Sequence, residues 1–282
     1  MRLPWADAGR SLAAEEYLLD NEAPSGGDIP VLLAYENSEA LVIGKNQNPW
    51  KEIALAVLHS GSPRFFRRIS GGGTVWHGPG NLNFSFIVPR GGFSKEENLD
   101  FVRRAVGRLG IPLERTARGD LEAGGKKVSG NALCYRKNRV LHHGTLLVRA
   151  ALDRLKNAIA PSGAAGLRLG IETRAVASVP ASVANLADFA DGIDCASLTR
   201  ALLEEARAVY ESVTAPDDAA PFLPPAKLDA LMRRHDAWEW LYGMTPAFIC
   251  RVEGKTFTVK DGIVVAVDPP DDEQVGKRFW LD

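Results

Sequence analysis

Hydrophobic and polar residues alternate with two different periods along this chain, which predicts strands and helices mixed along its length. Between residues 81 and 88 apolar and polar side chains alternate, which predicts a strand covered mainly on one face. Ser94 and Glu97 have the spacing of a capping box, and the helical apolar pattern behind them runs up to Gly110. Because strands and helices do not follow a strict β-α-β order, we predict an α+β fold.

The N-terminal part is predicted to hold a helix and a hairpin. Ser11 stands in the position of a helix cap, and the helix is predicted to end at Asp20. Two apolar runs, at 31–35 and 40–44, flank a turn-like segment, which is typical of a β-hairpin.

The remaining pattern predicts how the chain is divided into domains. The predicted elements are a helix at 50–59, strands at 65–69, 111–116, 120–123, 127–136 and 140–148, a helix at 151–159, a loop of low order at 161–180, a helix capped by Ser197 and running to 213, a proline-rich linker at 215–225, a helix at 226–235, and strands at 248–252, 256–260 and 263–267. We therefore predict a main domain over residues 1–245 and a short C-terminal β segment over residues 246–282.

Composition and charge exclude several classes of partner. The chain has 34 basic and 35 acidic residues, so there is no overall basic field for nucleic acid or an anionic membrane. The first residues lack the apolar core of a signal peptide, and no apolar run approaches the roughly 18 residues of a membrane span. The three cysteines are widely spaced without a CxxC pair, which favours a reducing, cytoplasmic location over a disulfide framework or a zinc site.

The segment around residues 67–74 carries the first candidate chemistry. Arg67 and Arg68 lead through Ile69 and Ser70 into three consecutive glycines. Glycine amides can approach an anion closely, and arginine adds forked donors beside them. The pattern indicates either a tight turn between two strands or a cradle for a phosphate or carboxylate, and on its own it leaves both open.

A second group of candidates lies on the predicted strands at 127–136 and 140–148. Lys126 and Lys127 must point to opposite sides of an extended strand, so only one of them can enter a site. The segment fails the Walker A pattern, because it has no Gly-Lys-Ser/Thr triplet. His142 and His143 also face opposite ways, so we expect no shared metal; one is predicted to bind a backbone group and the other to face the site.

Taken together and in order, these motifs resemble the lipoate–protein ligase A family, within the superfamily of biotin–protein ligases and octanoyltransferases. The matching pieces are Glu15-Glu16-Tyr17-Leu18-Leu19, Gly44-Lys45-Asn46-Gln47-Asn48-Pro49-Trp50, the segment 67–77 with Gly80-Asn81, Lys127-Val128-Ser129-Gly130-Asn131-Ala132, His142-His143-Gly144-Thr145-Leu146-Leu147, and more weakly Ser178-Val179, Asn185-Leu186 and Trp238-Glu239-Trp240. The resemblance implies a catalytic domain of mixed and antiparallel sheets flanked by helices, with a C-terminal β tail shorter than the accessory domain of the longer relatives.

The resemblance also implies a reaction and its participants. Lipoate would be activated with ATP and Mg²⁺ to lipoyl-AMP, and the acyl group would then pass to a lysine of an acceptor lipoyl domain. Gly78, Gly119 and Ser182 depart from residues common in the family. Together with the short tail, these departures leave a separate accessory subunit as a further expected partner.

The roles implied for single residues follow from the same resemblance. Lys127 would be the catalytic cation, where its ammonium can bridge carboxylate and phosphate oxygens as negative charge builds. The residues expected to hold the acyl group and nucleotide are Arg68, Ser70, Gly71, Gly72, Gly73, Val75, Trp76, His77, Asn81, Ala132, His143 and Thr145, with Val75 and Trp76 as the apolar wall, Ala132 beside the adenine, and Asp120 as a magnesium or adenylate neighbour.

Four alternatives remain beside this hypothesis. An octanoyltransferase of the same fold that works through a cysteine thioester would need a cysteine shortly before Lys127, and residues 116–120 contain none. A biotin ligase would show a Gly-Arg-Gly-Arg loop, which is missing. The chain could also be the large half of a two-chain ligase, or a binding module without catalysis, although Lys127 and the intact glycine loop argue against the latter.

Overall fold

The computed structural model describes residues 2–21, 29–158, 170–211, 213 and 222–280. Within these residues the α-helices are α1 Ala8–Asp20, α2 Pro49–Glu52, α3 Leu55–Ser60, α4 Lys95–Gly107, α5 Leu152–Ala158, α6 Cys195–Val209, α7 Pro225–Asp236 and α8 Trp238–Leu241. The strands are β1 Val31–Tyr35, β2 Ala40–Ile43, β3 Phe65–Arg67, β4 Val75–His77, β5 Asn81–Pro89, β6 Glu114–Arg115, β7 Leu121–Ala123, β8 Lys126–Tyr135, β9 Arg139–Leu147, β10 Gly170–Thr173, β11 Phe248–Val252, β12 Lys255–Lys260 and β13 Ile263–Asp268. Among the described residues, no helix is long and apolar enough to cross a membrane.

The chain forms two compact units, and each unit takes three separate segments of the sequence. Unit 1 comprises Met1–Ser38, His77–Leu152 and Pro180–Leu231, and unit 2 comprises Glu39–Trp76, Asp153–Val179 and Met232–Asp282. The domain boundary expected between residues 245 and 246 stays a prediction.

Unit 1 is built on a six-stranded antiparallel sheet in the order β1-β5-β9-β8-β7-β6. Helix α1 packs against β5 and β9, and α4 packs against α6. Strand β5 alternates as predicted, but its polar face is buried as well, which corrects the expectation of a strand covered mainly on one face. Asn83 Nδ2 donates to Tyr35 O at 3.1 Å, and Ser85 Oγ donates to the Glu15 carboxylate, so hydrogen bonds compensate the burial of that face.

Unit 2 contains a four-stranded antiparallel sheet in the order β10-β11-β12-β13 and a three-stranded sheet in the order β3-β2-β4. Its core contains an aromatic cluster around Trp50. The rings of Tyr242, Phe248 and Phe279 have centroids 5.2–5.3 Å from that of Trp50, which is buried. The three C-terminal strands predicted from the sequence therefore join a fourth strand, β10, which lies in the segment predicted to be a loop.

Two predicted helix caps were wrong. Helix α1 begins at Ala8, where the Asp7 carboxylate accepts from Arg10 N at 2.7 Å. Ser11 lies inside the helix, and its buried hydroxyl donates to Asn37 Oδ1 at 2.8 Å. Helix α6 is capped by Asp194 and ends at Val209, whereas Ser197 completes the capping box three residues inside. Aspartate and serine are about equally good N-caps, so residue type alone does not distinguish Asp7 from Ser11. The hydrogen bond between Ser11 and the distant Asn37 accompanies the position of Ser11 inside the helix.

The predicted hairpin over 31–44 was also wrong, because β1 and β2 belong to different sheets. Both strands exist at the predicted places, so the error concerns only their pairing. The helix predicted for 50–59 is interrupted at Ile53, whose extended backbone (φ −112°, ψ 137°) separates α2 from α3. The side chain of Ile53 is fully buried; Ile53 N still donates to Pro49 O at 2.9 Å, and Ala54 N donates to Ala158 O at 3.2 Å, so both amides at the break have acceptors.

The other predictions fall into two groups. The strands β3 and β5 to β9, the helix α4 and the helix α7 are confirmed within a few residues. Residues 161–169 of the predicted loop and residues 215–221 of the predicted linker lie outside the described residues.

Candidate active site

The glycine loop, residues 70–74, lies against the end of β2. Lys45 N donates to Ser70 O at 2.8 Å. Gly72 has a φ of +87°, in the left-handed region that favours glycine. A Cβ on Gly44 would lie 2.1 Å from Gly72 O, so the two backbones are in direct contact at a position that only glycine permits. The loop is therefore fixed by backbone packing as well as by hydrogen bonds.

Arg68 holds the shape of this loop from inside. Its Nη2 donates to Gly71 O at 2.6 Å and to Gly73 O at 2.7 Å. Its Nε donates to Ser70 Oγ at 3.1 Å, and its Nη1 donates to Val42 O at 2.9 Å. The side chain is buried, and these bonds orient the loop carbonyls toward the guanidinium. That the loop and Arg68 also bind a substrate remains a prediction.

Arg67 adjoins Arg68 but is not among the residues expected to bind the substrate, and its guanidinium is fully buried among backbone carbonyls. Nη2 donates to Leu241 O at 2.6 Å and to Thr245 Oγ1 at 3.0 Å. Nη1 donates to Lys45 O and Gln47 O, each at 2.8 Å. Burial lowers the pKa of Arg67 to about 10. Arg67 therefore ties together segments of unit 2.

A polar network beside the glycine loop was missed from the sequence. Ser178 Oγ accepts from Thr74 N at 2.9 Å and from Gln47 Nε2 at 3.1 Å, and it donates to the Glu52 carboxylate. Thr74 Oγ1 also donates to Gln47 Oε1 at 3.1 Å. Gln47 and Ser178 belong to the motifs that carry the family resemblance, but no local pattern links residues so far apart in sequence.

Lys127, at the start of β8, is the cation at the candidate catalytic position. Its Nζ lies 3.0 Å from Asp120 Oδ1, and the two side chains are 27% and 26% exposed. A Cβ on Gly130 would lie 3.3 Å from the Lys127 Nζ, so the lysine side chain extends over this glycine. The Lys127 backbone accepts from Ala184 N at 3.1 Å and donates to Ser182 O at 2.9 Å. The ammonium thus stands on a firmly paired strand and remains partly accessible.

His143 lies in a buried hydrogen-bonded cluster on β9. Its Nδ1 lies 2.8 Å from Glu15 Oε2. Tyr35 Oη donates to Glu15 Oε1 at 2.7 Å, and Ser85 Oγ donates to the same carboxylate. Burial opposes ionisation of Glu15, yet the charge of His143 and the three hydrogen bonds lower its pKa. Burial and the neighbouring Glu15 charge raise the pKa of Tyr35.

His142 occupies a different environment from its neighbour, as predicted for adjacent residues of a strand. Two side-chain amides bind its ring: Asn131 Oδ1 lies 3.1 Å from Nε2, and Asn98 Nδ2 lies 3.3 Å from Nδ1, so His142 is not a histidine that binds a backbone group. The rings of Phe84, Phe86 and Phe93 lie 6.2–6.3 Å from the imidazole, centroid to centroid. Burial, with smaller contributions from His143 and Lys95, lowers the pKa of His142 to about 3. His142 is therefore neutral at physiological pH.

The other predicted residues of unit 1 also have definite positions. His77 Nδ1 lies 2.9 Å from Asn37 Nδ2. Asn81 is fully buried; its Nδ2 donates to Asn83 Oδ1 at 3.2 Å, whereas its Oδ1 has no partner within the part of the chain that the structure describes. Thr145 is opposite Asn83 in the sheet register. Asn81 and Thr145 thus lie on the same sheet as Lys127 and His143, whereas His77 is the last residue of β4.

The two apolar residues and Ala132 complete the predicted set. Val75 and Trp76 lie on β4, and the buried Trp76 packs in the hydrophobic core of unit 2. Ala132 lies on β8 directly opposite His143 on β9. Each unit therefore groups its own predicted residues: Arg68, the glycine loop, Val75 and Trp76 belong to unit 2, and the remainder belong to unit 1.

Comparison with known proteins identifies the family. Residues 7–207 match the family model described as the lipoyl protein ligase A/B catalytic domain. The chain belongs to this family. It is 33% identical over 257 residues to a lipoate-protein ligase A of Psychrobacter cryohalolentis, an alignment covering 89% of this chain and 72% of that protein. It is 34% identical over 248 residues to a lipoate-protein ligase A of Bdellovibrio bacteriovorus, covering 84% and 70%.

Solved structures show the same fold. P. falciparum LipL1 in complex with lipoate aligns with a TM-score of 0.73 at 23% identity, over 94% of this chain and 82% of that one. A lipoate-protein ligase A bound with ATP aligns with a TM-score of 0.66 at 23% identity, over 86% and 97%. A bi-partite lipoate protein ligase from Thermoplasma acidophilum aligns with a TM-score of 0.64 at 23% identity, over 86% and 94%. The predicted family and α+β fold class are confirmed.

Membership of the lipoyl ligase family confirms the prediction that the chain is an enzyme. Every predicted site residue, from Arg68 to Thr145, lies inside the matched segment 7–207. The roles of these residues stay predictions.

Proposed function

We propose that this lipoyl ligase family member attaches lipoate, through lipoyl-AMP, to a specific lysine of an acceptor lipoyl domain, with ATP as the second substrate. The family match and the names of the curated relatives support this proposal. Complexes of structural relatives with lipoate and with ATP support the choice of substrates.

The observation that carries the proposal is the placement of Lys127. In the first step a carboxylate oxygen of lipoate bonds to the α-phosphorus of ATP, and pyrophosphate leaves. Negative charge builds on oxygen atoms during this displacement, and a fixed ammonium stabilises it. The Lys127 ammonium meets that need, because it is fixed on β8, lies beside Asp120 and is partly exposed.

In the second step the acceptor lysine, as a free amine, attacks the acyl carbon, AMP leaves, and the amine loses a proton as the amide forms. The residues assigned to binding are the same as those expected from the sequence. Arg68, Ser70, Gly71, Gly72 and Gly73 hold the acyl-adenylate, Val75 and Trp76 form the apolar wall, and His77, Asn81, Ala132, His143 and Thr145 complete the contacts.

The donors of this chain fit a magnesium ion that travels with the nucleotide. Within the described residues there is no group of three His, Cys, Asp or Glu side chains that could hold a metal ion. Mg²⁺ commonly uses one or two carboxylates together with substrate phosphates and water, so the single Asp120 carboxylate suffices for that arrangement. The ion would supply neutralisation of phosphate charge, and Asp120 would hold it.

The octanoyltransferase remains the second candidate, and the cysteines argue against its thioester route. Cys134, Cys195 and Cys250 are all buried. Burial raises the pKa of Cys250 to about 11 and also raises the pKa of Cys195. A thiol must ionise to act as the nucleophile, and these environments oppose ionisation. Three free thiols also agree with the expected cytoplasmic location.

An accessory subunit remains part of the proposal. The chain spans 70–72% of the length of the two curated relatives, and one structural relative is a bi-partite ligase. We propose that a separate chain can complete adenylation if this chain alone proves slow.

A mass measurement on an isolated acceptor lipoyl domain tests the proposal. The domain is incubated with the protein and either lipoate plus Mg-ATP or octanoyl carrier protein without ATP. We expect a mass increase of one lipoyl group in the first mixture, and none when ATP is omitted. A gain in the second mixture alone would replace the ligase by the octanoyltransferase.

A further inference from the structure

A line of polar side chains crosses unit 1 from helix α4 to the turn that carries Asp120. Asn98 of α4 contacts His142 of β9, and His142 contacts Asn131 of β8. Asn131 Nδ2 donates to Gly119 O at 2.6 Å. The peptide group of Gly119 is joined directly to Asp120, whose carboxylate pairs with Lys127.

The direction of each hydrogen bond in this line is determined. Because Asn131 gives its amide N–H to Gly119 O, its Oδ1 must accept, and His142 Nε2 must therefore carry the proton. His142 Nδ1 is then the acceptor for the amide of Asn98. A neutral imidazole satisfies every group in the line, whereas a second proton on Nδ1 would face an N–H donor.

The turn at residues 116–120, where this line of hydrogen bonds ends, is held by several further hydrogen bonds. Gly119 N donates to Thr116 O at 2.9 Å, and Asp120 N donates to Thr116 Oγ1 at 3.1 Å. Lys95 Nζ donates to Arg118 O at 3.3 Å. Asn131 lies on β8 and binds the turn at Gly119, so it adds a side-chain contact between the turn and the strand that carries Lys127, beside the pairing of β7 with β8.

We propose that His142, acting through Asn131, is a positioning residue that fixes the Asp120 turn and thereby the Lys127 ammonium. The inference rests on the proposed function, in which Lys127 stabilises the charge of the adenylation step. His142 touches neither substrate in this proposal. Its contribution is to hold a partly exposed ion pair in one geometry, because displacement of a catalytic group by about 1 Å can lower a rate by about 100-fold.

The alternative is that His142 only fills the core among the phenylalanine rings. A core residue contributes through shape, and His142→Phe would preserve that contribution in an apolar environment. A positioning residue contributes through its donor and acceptor, which His142→Phe removes and His142→Gln retains.

The test combines these two variants with a control on the same strand. Val140→Ala, also on β9 and buried in the core of unit 1, lowers stability without touching the polar line. Lipoate-dependent exchange of pyrophosphate into ATP gives kcat and KM for adenylation, and a thermal melt gives the stability of each variant. Hydrogen exchange at the amides of Gly119 and Asp120 reports the turn directly, whether or not the chain is active.

We expect His142→Phe to lower kcat by up to about 100-fold with little change in KM, and to speed exchange at both amides. His142→Gln should restore most of kcat and the slow amide exchange. Val140→Ala should lower the melting temperature and leave kcat and the two amides unchanged. The proposal is overturned if His142→Phe keeps the parent kcat and amide protection, or if His142→Gln loses as much as His142→Phe.

Lys127→Ala separates this inference from the proposed function. If Lys127→Ala adenylates lipoate at the parent rate, the proposed role of Lys127 fails. If Lys127→Ala is inactive while His142→Phe is fully active, only the positioning role of His142 fails. If the parent protein shows no pyrophosphate exchange at all, hydrogen exchange at the Gly119 and Asp120 amides still decides whether His142 fixes the turn.

Discussion

The glycine loop of unit 2 and the start of β8 in unit 1 each hold a cation, but the two cations have different partners. Arg68 donates to the carbonyls of Gly71 and Gly73 and is buried. Lys127 pairs with the Asp120 carboxylate and keeps about a quarter of its side chain exposed. A buried guanidinium with carbonyl partners determines the shape of a backbone, whereas a partly exposed ammonium can still reach a ligand.

The same comparison explains why the two regions tolerate change differently. In the glycine loop, backbone meets backbone, and little can move without disturbing the fold. Around Lys127 the contacts are between side chains, so substitutions there should alter activity more than stability. Four predictions examine this difference.

The largest effect is expected for Lys127→Ala. Loss of the cation that faces the developing charge should lower kcat for lipoyl transfer by about 10²–10³-fold. The melting temperature should hardly change, because a partly exposed ion pair contributes roughly 0–1 kcal/mol to stability. The rate of mass gain of an acceptor domain measures the effect, with Lys126→Ala as the matched control on the exposed neighbour. Turnover at the parent rate would remove Lys127 from the proposed mechanism.

In contrast to Lys127→Ala, Gly44→Ala should mainly lower the stability of the protein. The new Cβ would lie 2.1 Å from Gly72 O, so the backbone must shift, at a cost of about 1–3 kcal/mol for overpacking. Urea unfolding measures the change, and a loss of ATP affinity should accompany it. Gly91→Ala is the control, because its Cβ would meet nothing within 4 Å. Unchanged stability of Gly44→Ala would mean that the loop is more adaptable than its contacts indicate.

The neutral His142 predicts a pH dependence of stability. Its pKa is about 3 in the folded protein and roughly 6.5 in the unfolded chain, so the unfolded state binds more protons between these values. Stability should therefore fall as the pH is lowered below about 6.5, by about 2 kcal/mol at pH 5 from this residue. Urea unfolding of the parent and of His142→Gln at pH 7.5 and pH 5 isolates the contribution. Equal acid sensitivity in both proteins would contradict a neutral His142.

The smallest effect is expected for Gly130→Ala, which tests how closely the Lys127 side chain depends on its neighbour on β8. The new Cβ would lie 3.2 Å from Lys127 Cε and 3.3 Å from Nζ, and the flexible lysine can yield by a small displacement. We expect kcat to fall by no more than about tenfold, well short of the loss on a full 1 Å misplacement. Unfolding in urea should match the parent. A large loss of stability instead would mean that Gly130 serves the sheet and not the lysine.

Much of the fold could be predicted because short-range pattern decides it. Strands β8 and β9 and helix α4 follow directly from alternation, turns and a cap. The pairing of β1 and β2 could not be predicted, since a turn-like segment between two apolar runs is equally compatible with a hairpin and with strands of separate sheets. The position of Ser11 inside α1 could not be predicted either, because its hydroxyl donates to Asn37, which lies 26 residues further along the chain.

The candidate site divides in the same way. Lys127 and the glycines could be found from motifs, because the residue type itself carries the chemistry. The partners of those residues could not, because Ser178 with Glu52, and His142 with Asn98, meet only after the chain has folded. Arg67 and Arg68 are neighbours of identical charge, and only the carbonyls around each guanidinium distinguish their roles.

The interleaving of the two units has a consequence for synthesis on the ribosome. Trp50 belongs to the first segment of unit 2, yet its aromatic neighbours Tyr242, Phe248 and Phe279 come from the last. At about 5–20 residues per second, Trp50 emerges on the order of ten to forty seconds before Phe248. During that interval the Trp50 ring is without these three aromatic neighbours, so the core of unit 2 can be completed only after the last segment has been made.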